Sequence, residues 1–167
     1  IVDGNNVSFL IREFIRIAES EKPGPCHLEL PEDIASEEVN RSPFDIVNVD
    51  PPGASNKAIQ TAATMIQKAK MPLVCIASGA NRNKCHSAIS HFVNKSGLYF
   101  FSTQMGKGAV DERHPRCLGT AALSDNDYIH CSIEKADLII NIGHDVTEKP
   151  PFCMQQKSPT KVIHMSY

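Results

Sequence analysis

The sequence LYFFSTQMGKGAVDERHPRCLG, residues 98–119, decides how the rest of the chain is interpreted. It opens with the apolar run Leu98–Phe101, which is typical of a buried strand, and continues into a polar segment with Gly106 and Gly108. In open α/β sheets, ligands bind in the crevice beyond the carboxyl ends of the strands. Glycines directly after a strand let a ligand approach the backbone closely. The stretch therefore indicates either the lip of a nucleotide-type crevice or an ordinary glycine loop.

The composition is that of an ordinary globular protein, with 41% hydrophobic and 22% charged residues and a net charge of -2 over 167 residues. This balance indicates no nucleic-acid partner, and no apolar run reaches the ~18 residues that a membrane-spanning helix needs. The start, Ile1–Asn6, has neither an initiator Met nor a signal-peptide pattern, so we expect a piece cut from a longer cytoplasmic protein. The six cysteines show no CxxC pair and no zinc-like spacing to histidine, which predicts reduced thiols and no metal site.

The first 53 residues are expected to hold one helix, one strand and a connecting segment. Helical periodicity predicts a helix over residues 5–21, capped by Asn5 or Asn6, and alternation predicts a strand over Cys26–Leu30. One helix and one strand are too few for a core, so residues 1–30 are interpreted as the tail of a preceding domain. The segment 31–53 holds four prolines and shows little periodicity, and it is interpreted as an interdomain linker.

From residue 54 onwards, helical segments alternate with short apolar runs. A helix capped by Ser55 is predicted to end near residue 69, a second to end at Ser96, and a third to cover residues 125–136. Strands are predicted over residues 72–77, 98–101, 137–142 and 161–165. Such alternation implies right-handed βαβ crossovers and a parallel sheet with helices on both faces. Residues 54–167 are therefore predicted to form a doubly wound, Rossmann-like α/β domain.

Four segments in order resemble one known family. PGPCHLELPEDIA (residues 23–35) is similar to the end of the pyrimidine-binding domain in thiamine-diphosphate enzymes of the acetolactate synthase group. PLVCIASGANR (72–82), STQMGKGAVDERHPRCLGTAALSD (102–125) and ADLIINIGHDV (136–146) occur in the order expected of that family's central domain. The resemblance covers essentially the whole chain, and its second half is the more specific.

The resemblance implies a parent enzyme that uses thiamine diphosphate and Mg²⁺ to join two pyruvates with loss of CO₂, in branched-chain amino acid biosynthesis or in a catabolic role. It implies that residues 1–30 end the pyrimidine-binding domain, that 31–53 form the linker, and that 54–167 form a central domain of the deoxyhypusine-synthase-like NAD/FAD-binding type. The family's cofactor-activating glutamate and its Gly-Asp-Gly metal motif belong to the flanking domains. The resemblance therefore implies no catalytic or metal-binding residue in this chain, the flanking domains as its partners, and a homo-oligomeric intact enzyme.

The family's central domain binds FAD in some members, an ADP-like group in others, and neither in still others. The chain departs from the FAD-binding pattern at two places. It has Ser78-Gly79-Ala80-Asn81 where the pattern has a Gly-Gly-Gly-type turn, and Leu118-Gly119-Thr120-Ala121-Ala122 where the pattern has Leu-Gly-Met-x-Gly. Likewise, it has GHDVTEK (143–149) where the pattern has Gly-x-Arg-Phe-Asp-Asp-Arg, so the pattern's first arginine and second aspartate are missing. The residues carried over by motif to the nucleotide follow three strands: Gly79, Ala80 and Asn81; Thr103, Gln104, Met105 and Gly106; Gly143, His144 and Asp145.

Three residues allow a sharper and a plainer interpretation. His114 has no partner visible in the sequence, which favours a solvated surface loop over an acid–base cluster. Lys107 lies between two glycines, but the rest of the phosphate-loop pattern is absent, which disfavours a Walker-type NTPase. Asp145 is either a ligand or interface residue or the cap of a following turn. Two alternative functions stay open: a stand-alone Rossmann-like nucleotide-binding module, and the central domain of a 2-keto-acid decarboxylase of the same superfamily.

Overall fold

The computed structural model places the chain in two units, residues 1–53 and 54–166. The structure describes residues 1–45, 53–82, 85–121, 128–145, 147–148 and 159–166. The helices are α1 (Val7–Glu19), α2 (Glu32–Ala35), α3 (Asn56–Lys68), α4 (His86–Ser96) and α5 (Tyr128–Lys135). The strands are β1 (Pro72–Ile76), β2 (Tyr99–Thr103), β3 (Cys117–Ala121), β4 (Leu138–Ile142) and β5 (Lys161–Met165).

The first unit contains the predicted helix but not the predicted strand. A 3₁₀ turn over Gly4–Asn6 leads into α1, and the Asp3 side chain accepts from the Asn5 N–H at 2.8 Å. Asn6 stands at the predicted cap position of α1, but its side chain makes no capping hydrogen bond. The predicted strand over Cys26–Leu30 is wrong: the segment has no strand structure, since a strand needs a paired neighbour and the described part of this unit holds none.

The second unit confirms the predicted doubly wound parallel sheet. Its five strands lie in the order β3-β2-β1-β4-β5, and every neighbouring pair is parallel. One face of the sheet packs on α3 and α4, through buried residues such as Val74, Phe100 and Val93. The other face packs on α5, through Leu73, Ile139 and neighbouring residues. Both faces are therefore covered, as the continuous apolar runs of β1 and β4 require.

Two strands differ from the sequence-based prediction. β2 runs to Thr103 instead of ending at Phe101, because the polar side chains of Ser102 and Thr103 are buried with hydrogen-bond partners. β3 was not predicted at all. It is an edge strand of half-buried residues whose pairing with β2 shifts register and whose middle residue is Gly119, so it shows no regular alternation of apolar residues.

The helices bury narrower faces than their periodicity indicates. α3 starts at Asn56 and its predicted cap is confirmed, since the Ser55 hydroxyl accepts from the Ala58 N–H at 3.2 Å. Helical spacing places Ile59 and Tyr128 on the apolar faces of α3 and α5, but their side chains are 55% and 68% exposed. In α3, the residues that pack on the core come from its last turns and from the residue that follows it, because only that part of the segment reaches the sheet: Met65, Ile66 and Ala69.

Candidate functional site at three strand ends

The three segments predicted to line a crevice follow neighbouring strands. β1 pairs with β2 on one side and with β4 on the other, and Ile76 at the end of β1 lies opposite Ser102 and Ile142. Since the strands are parallel, their carboxyl ends share one edge of the sheet. The turns after β1, β2 and β4 therefore meet, which brings together the predicted residues that follow these strands.

The glycines in these turns bring backbone against backbone. The Gly79 N–H donates to the Gly143 carbonyl oxygen at 2.7 Å, and a Cβ atom on Gly79 would lie 2.7 Å from the Gly143 Cα. A Cβ atom on Gly106 would overlap the carbonyl oxygen of Ile76 at the end of β1. The absence of a side chain at Gly79 and Gly106 is therefore required by the packing of the turns themselves.

A carboxylate that the sequence analysis missed joins all three turns. Glu148 is buried, at 7% exposure, and its Oε1 accepts from the N–H of Ser78 at 3.0 Å and of Asp145 at 3.1 Å. Its Oε2 accepts from the Thr103 hydroxyl. The available signal was the family pattern itself, because Glu148 stands where that pattern has its second aspartate and so keeps a carboxylate there.

The hydrogen bonds keep Glu148 ionised in spite of its burial. Burial alone would raise the pKa of the Glu148 carboxyl, because a charged group is disfavoured away from water. The donors on Thr103, Ser78 and Asp145 stabilise the ionised form, and they outweigh burial, so the pKa lies below its ordinary value. The strand ends consequently hold a fixed negative charge at neutral pH.

The other predicted site residues hold the same turns or lie at the surface. The Asn81 side-chain amide donates to the carbonyl oxygens of Met105 at 2.8 Å and Lys107 at 3.1 Å. The Thr103 hydroxyl also accepts from the Gly106 N–H at 3.1 Å. Ala80 is buried, whereas Gln104 and Met105 are exposed. The buried Nε2 of His144 has no hydrogen-bond partner among the described residues.

The Asp145 side chain caps a turn, in line with the plainer of its two predicted roles, and its ligand role stays a prediction. Its Oδ1 accepts from the Thr147 N–H at 3.1 Å, which caps the turn that follows β4. Its Oδ2 lies 4.0 Å from the Arg82 guanidinium. A helix that starts near residues 81–84 could hold an anion at its N-terminus, but positions 83 and 84 lie outside the described residues.

Lys107 and His114 both have partners that the sequence did not reveal. The Lys107 ammonium lies 2.9 Å from Glu112 Oε2 and donates to the Thr120 hydroxyl at 3.2 Å, so it is engaged in a surface ion pair. The His114 Nδ1 accepts from the Arg116 N–H at 3.2 Å. Its Nε2 therefore carries the proton and donates to Asn94 Oδ1 at 3.1 Å. These contacts fit the structural interpretation of the loop.

A metal-binding cluster and a membrane-spanning helix are both absent from the described residues. Within the described ranges, no three His, Cys, Asp or Glu side chains cluster in a way that could hold a metal ion. No helix in that same part of the chain combines the length and apolar character needed to cross a bilayer. What the strand ends do offer is a set of backbone and hydroxyl donors, and those described above already have acceptors within the protein.

Comparisons with known proteins agree on one family. Residues 59–167 match the sequence model described as "Thiamine pyrophosphate enzyme, central domain". The chain is 31% identical over 141 residues to human 2-hydroxyacyl-CoA lyase 1, covering 82% of this chain and 23% of that protein. It is 26% identical over 169 residues to an acetolactate synthase large subunit of Parasynechococcus marenigrum, covering 97% of this chain and 27% of the relative. The chain thus spans about a quarter of the length of the curated relatives it matches.

The fold has a counterpart among solved structures. An X-ray structure assigned to a thiamin diphosphate-dependent enzyme from Mycobacterium smegmatis superposes with a TM-score of 0.79 at 18% sequence identity. The match covers 97% of this chain and 32% of that one. At this identity, the likeness concerns the fold alone.

Proposed function

The chain belongs to the central-domain family of thiamine pyrophosphate enzymes, and we propose that it is the central domain of an acetolactate synthase-like enzyme. The observation that carries this proposal is the likeness to acetolactate synthase large subunits, one of which extends over 97% of the chain. The intact enzyme would condense two pyruvates with loss of CO₂, in branched-chain amino acid biosynthesis or a related catabolic role. Thiamine diphosphate supplies the carbanion chemistry of that reaction when bound.

In this proposal, the domain acts as a scaffold between two catalytic domains. Residues 1–30 end the pyrimidine-binding domain, 31–53 form a linker, and 54–167 form the central domain. Thiamine diphosphate and Mg²⁺ are held by the flanking domains, so none of the residues described above takes a catalytic role. The closed packing of the three strand-end turns supports this scaffold role, because turns that are packed and hydrogen-bonded open less readily than exposed loops.

The same proposal places the enzyme in the cytoplasm as a homo-oligomer. The thiols of Cys26, Cys117 and Cys131 support this location, since they form no disulfide within the described residues and the cytosol keeps thiols reduced. The oligomeric state rests on the family resemblance alone. FAD or an ADP-like nucleotide at the ten strand-end residues stays a prediction.

A second candidate comes from the lyase relative. Human 2-hydroxyacyl-CoA lyase 1 is 31% identical over 141 residues, a higher identity than that to the acetolactate synthase of Parasynechococcus marenigrum. The chain would then be the central domain of an enzyme acting on a 2-hydroxyacyl-CoA. The two candidates share the domain and differ in substrate, so the described residues fit either one.

The test uses the complete reading frame of the gene that encodes this chain. We expect it to extend on both sides, to consume pyruvate and to form acetolactate only when thiamine diphosphate and Mg²⁺ are added. The matched assay supplies a 2-hydroxyacyl-CoA in place of pyruvate and measures aldehyde formation. Cleavage of that substrate without pyruvate consumption would replace the first candidate by the second, and no thiamine-dependent reaction with either would refute both.

A further inference from the structure

The carboxylate of Glu148 is held by donors from three different strand ends. Ser78 follows β1 and lies 70 residues away along the chain, while Thr103 ends β2 and lies 45 residues away. The third donor, the Asp145 N–H, belongs to the turn after β4. We propose that these donors form an anion-binding site and that the Glu148 carboxylate is its resident ligand, so that this chain closes its own crevice with a side chain.

The donors are of the kind that binds anions in this architecture. Backbone N–H groups in turns at strand ends form concave sites for phosphates and other anions. Here two such groups, on Ser78 and Asp145, converge on one oxygen at 3.0 and 3.1 Å, and a hydroxyl serves the other oxygen. Hydrogen bonds to an ionised acceptor are about twice as strong as those between neutral groups. With 7% of Glu148 exposed, water hardly competes for them.

A nucleotide diphosphate does not fit these same donors. Each backbone N–H has a single hydrogen, and the hydrogens of Ser78 and Asp145 point at Glu148. The Gly79 N–H is likewise taken, by the Gly143 carbonyl oxygen at 2.7 Å. A diphosphate would also place its charge next to the ionised carboxylate, which is unfavourable at short range. In the described part of the crevice, the Glu148 carboxylate therefore takes the place that the diphosphate of a nucleotide would occupy.

Ligand binding by the chain itself does not depend on which reaction the parent enzyme performs. The test compares wild type, Glu148→Ala, Glu148→Gln and the control Glu134→Ala, whose side chain is exposed on α5. Melting temperatures are measured with increasing sodium pyrophosphate or ADP, and sodium chloride keeps the ionic strength constant. Glu148→Ala removes the resident anion, whereas Glu148→Gln keeps an acceptor oxygen in the same place.

We expect pyrophosphate and ADP to leave the melting temperatures of wild type and Glu134→Ala unchanged. Glu148→Ala should melt lower without ligand and recover in a dose-dependent way, by roughly 5–10 °C at a concentration about a hundred times the dissociation constant. Glu148→Gln should melt below wild type and gain nothing from either ligand.

Two results would overturn the inference. One is a wild-type chain that either ligand stabilises as much as it stabilises Glu148→Ala, and the other is a folded Glu148→Ala variant that neither ligand stabilises. If Glu148→Ala does not fold, the melting temperature of Glu148→Gln tests the role of the carboxylate instead. A melting temperature equal to that of wild type refutes a role for the carboxylate charge, and a lower one supports it.

Discussion

Replacement of Gly143 by alanine should destabilise the sheet domain strongly, although this residue lies in a turn. Gly143 follows β4 with a φ angle of +69°, in the left-handed region that residues with a side chain avoid. Its Cβ atom would lie 2.6 Å from the Gly79 Cα and 2.5 Å from the Ala80 nitrogen. Both obstacles are backbone atoms of the neighbouring turn, so they cannot rotate away as a side chain would.

Two separate costs add up at Gly143. Holding a non-glycine residue in the left-handed conformation costs about 1–2 kcal/mol. Forcing an extra carbon into a closely packed place costs about 1–3 kcal/mol. The expected loss of free energy of unfolding is their sum, about 2–5 kcal/mol, which for a chain of this length lowers the melting temperature by roughly 4–20 °C.

Two other glycines separate these costs in the same urea-denaturation experiment, followed by circular dichroism. Gly108 has a φ angle of +86° but open space around its Cβ position, so Gly108→Ala carries only the conformational cost. Gly79→Ala carries the overlap with the Gly143 Cα, at 2.7 Å, without a positive φ. We expect Gly143→Ala to lose more stability than either. A loss no larger than that of Gly108→Ala would refute the closed packing of the turns.

Three further predictions concern charge and burial. Because the pKa of Glu148 lies below its ordinary value of 4.5, its carboxylate contributes stability that is present above that value and is lost as the pH falls through the folded pKa. The difference in urea midpoint between wild type and Glu148→Gln should thus stay constant near neutrality and shrink in acid, and a constant difference down to pH 3 would contradict it. Asp137→Asn should lower the melting temperature at pH 7, because the carboxylate accepts from the N–H groups of Lys70 and Met71, just before β1, at 2.8 and 2.9 Å, and these hydrogen bonds keep its pKa below the usual range. Ile139→Ala should cost about 2–5 kcal/mol in the core, whereas Ile59→Ala, at a position 55% exposed, should change the free energy of unfolding by less than about 0.5 kcal/mol; equal losses in urea titrations would contradict the packing.

The central strands could be predicted from the sequence because their environment leaves a local mark. β1 and β4 are covered on both faces, so nearly every residue in them is apolar, and the run itself identifies the strand. β3 leaves no such mark. It is defined by its pairing with β2 and includes Gly119 at φ +109°, and such pairing depends on residues far apart in the sequence.

The location of the candidate site could be predicted for a topological reason. Successive strands of a parallel sheet present their carboxyl ends at one edge, so the residues after β1, β2 and β4 had to meet once the strand order reversed at β1. Glu148 could not be identified in the same way. It lies in a polar segment with no periodicity, and its burial depends on donors 45 and 70 residues away.

A glycine-rich strand end is an ambiguous signal, because glycine serves a ligand and a neighbouring backbone equally well. The direction in which the turn's N–H groups donate resolves the ambiguity. An open nucleotide site keeps these donors free, and a closed one supplies an acceptor from its own chain, as Glu148 does for Ser78 and Asp145. One departure from the FAD-binding pattern acts in the same direction, because an aspartate occupies position 145, where the pattern has an arginine. This departure puts negative charge where the pattern has positive charge next to a diphosphate, so the residue at position 145 carries more information about occupancy than the glycines beside it.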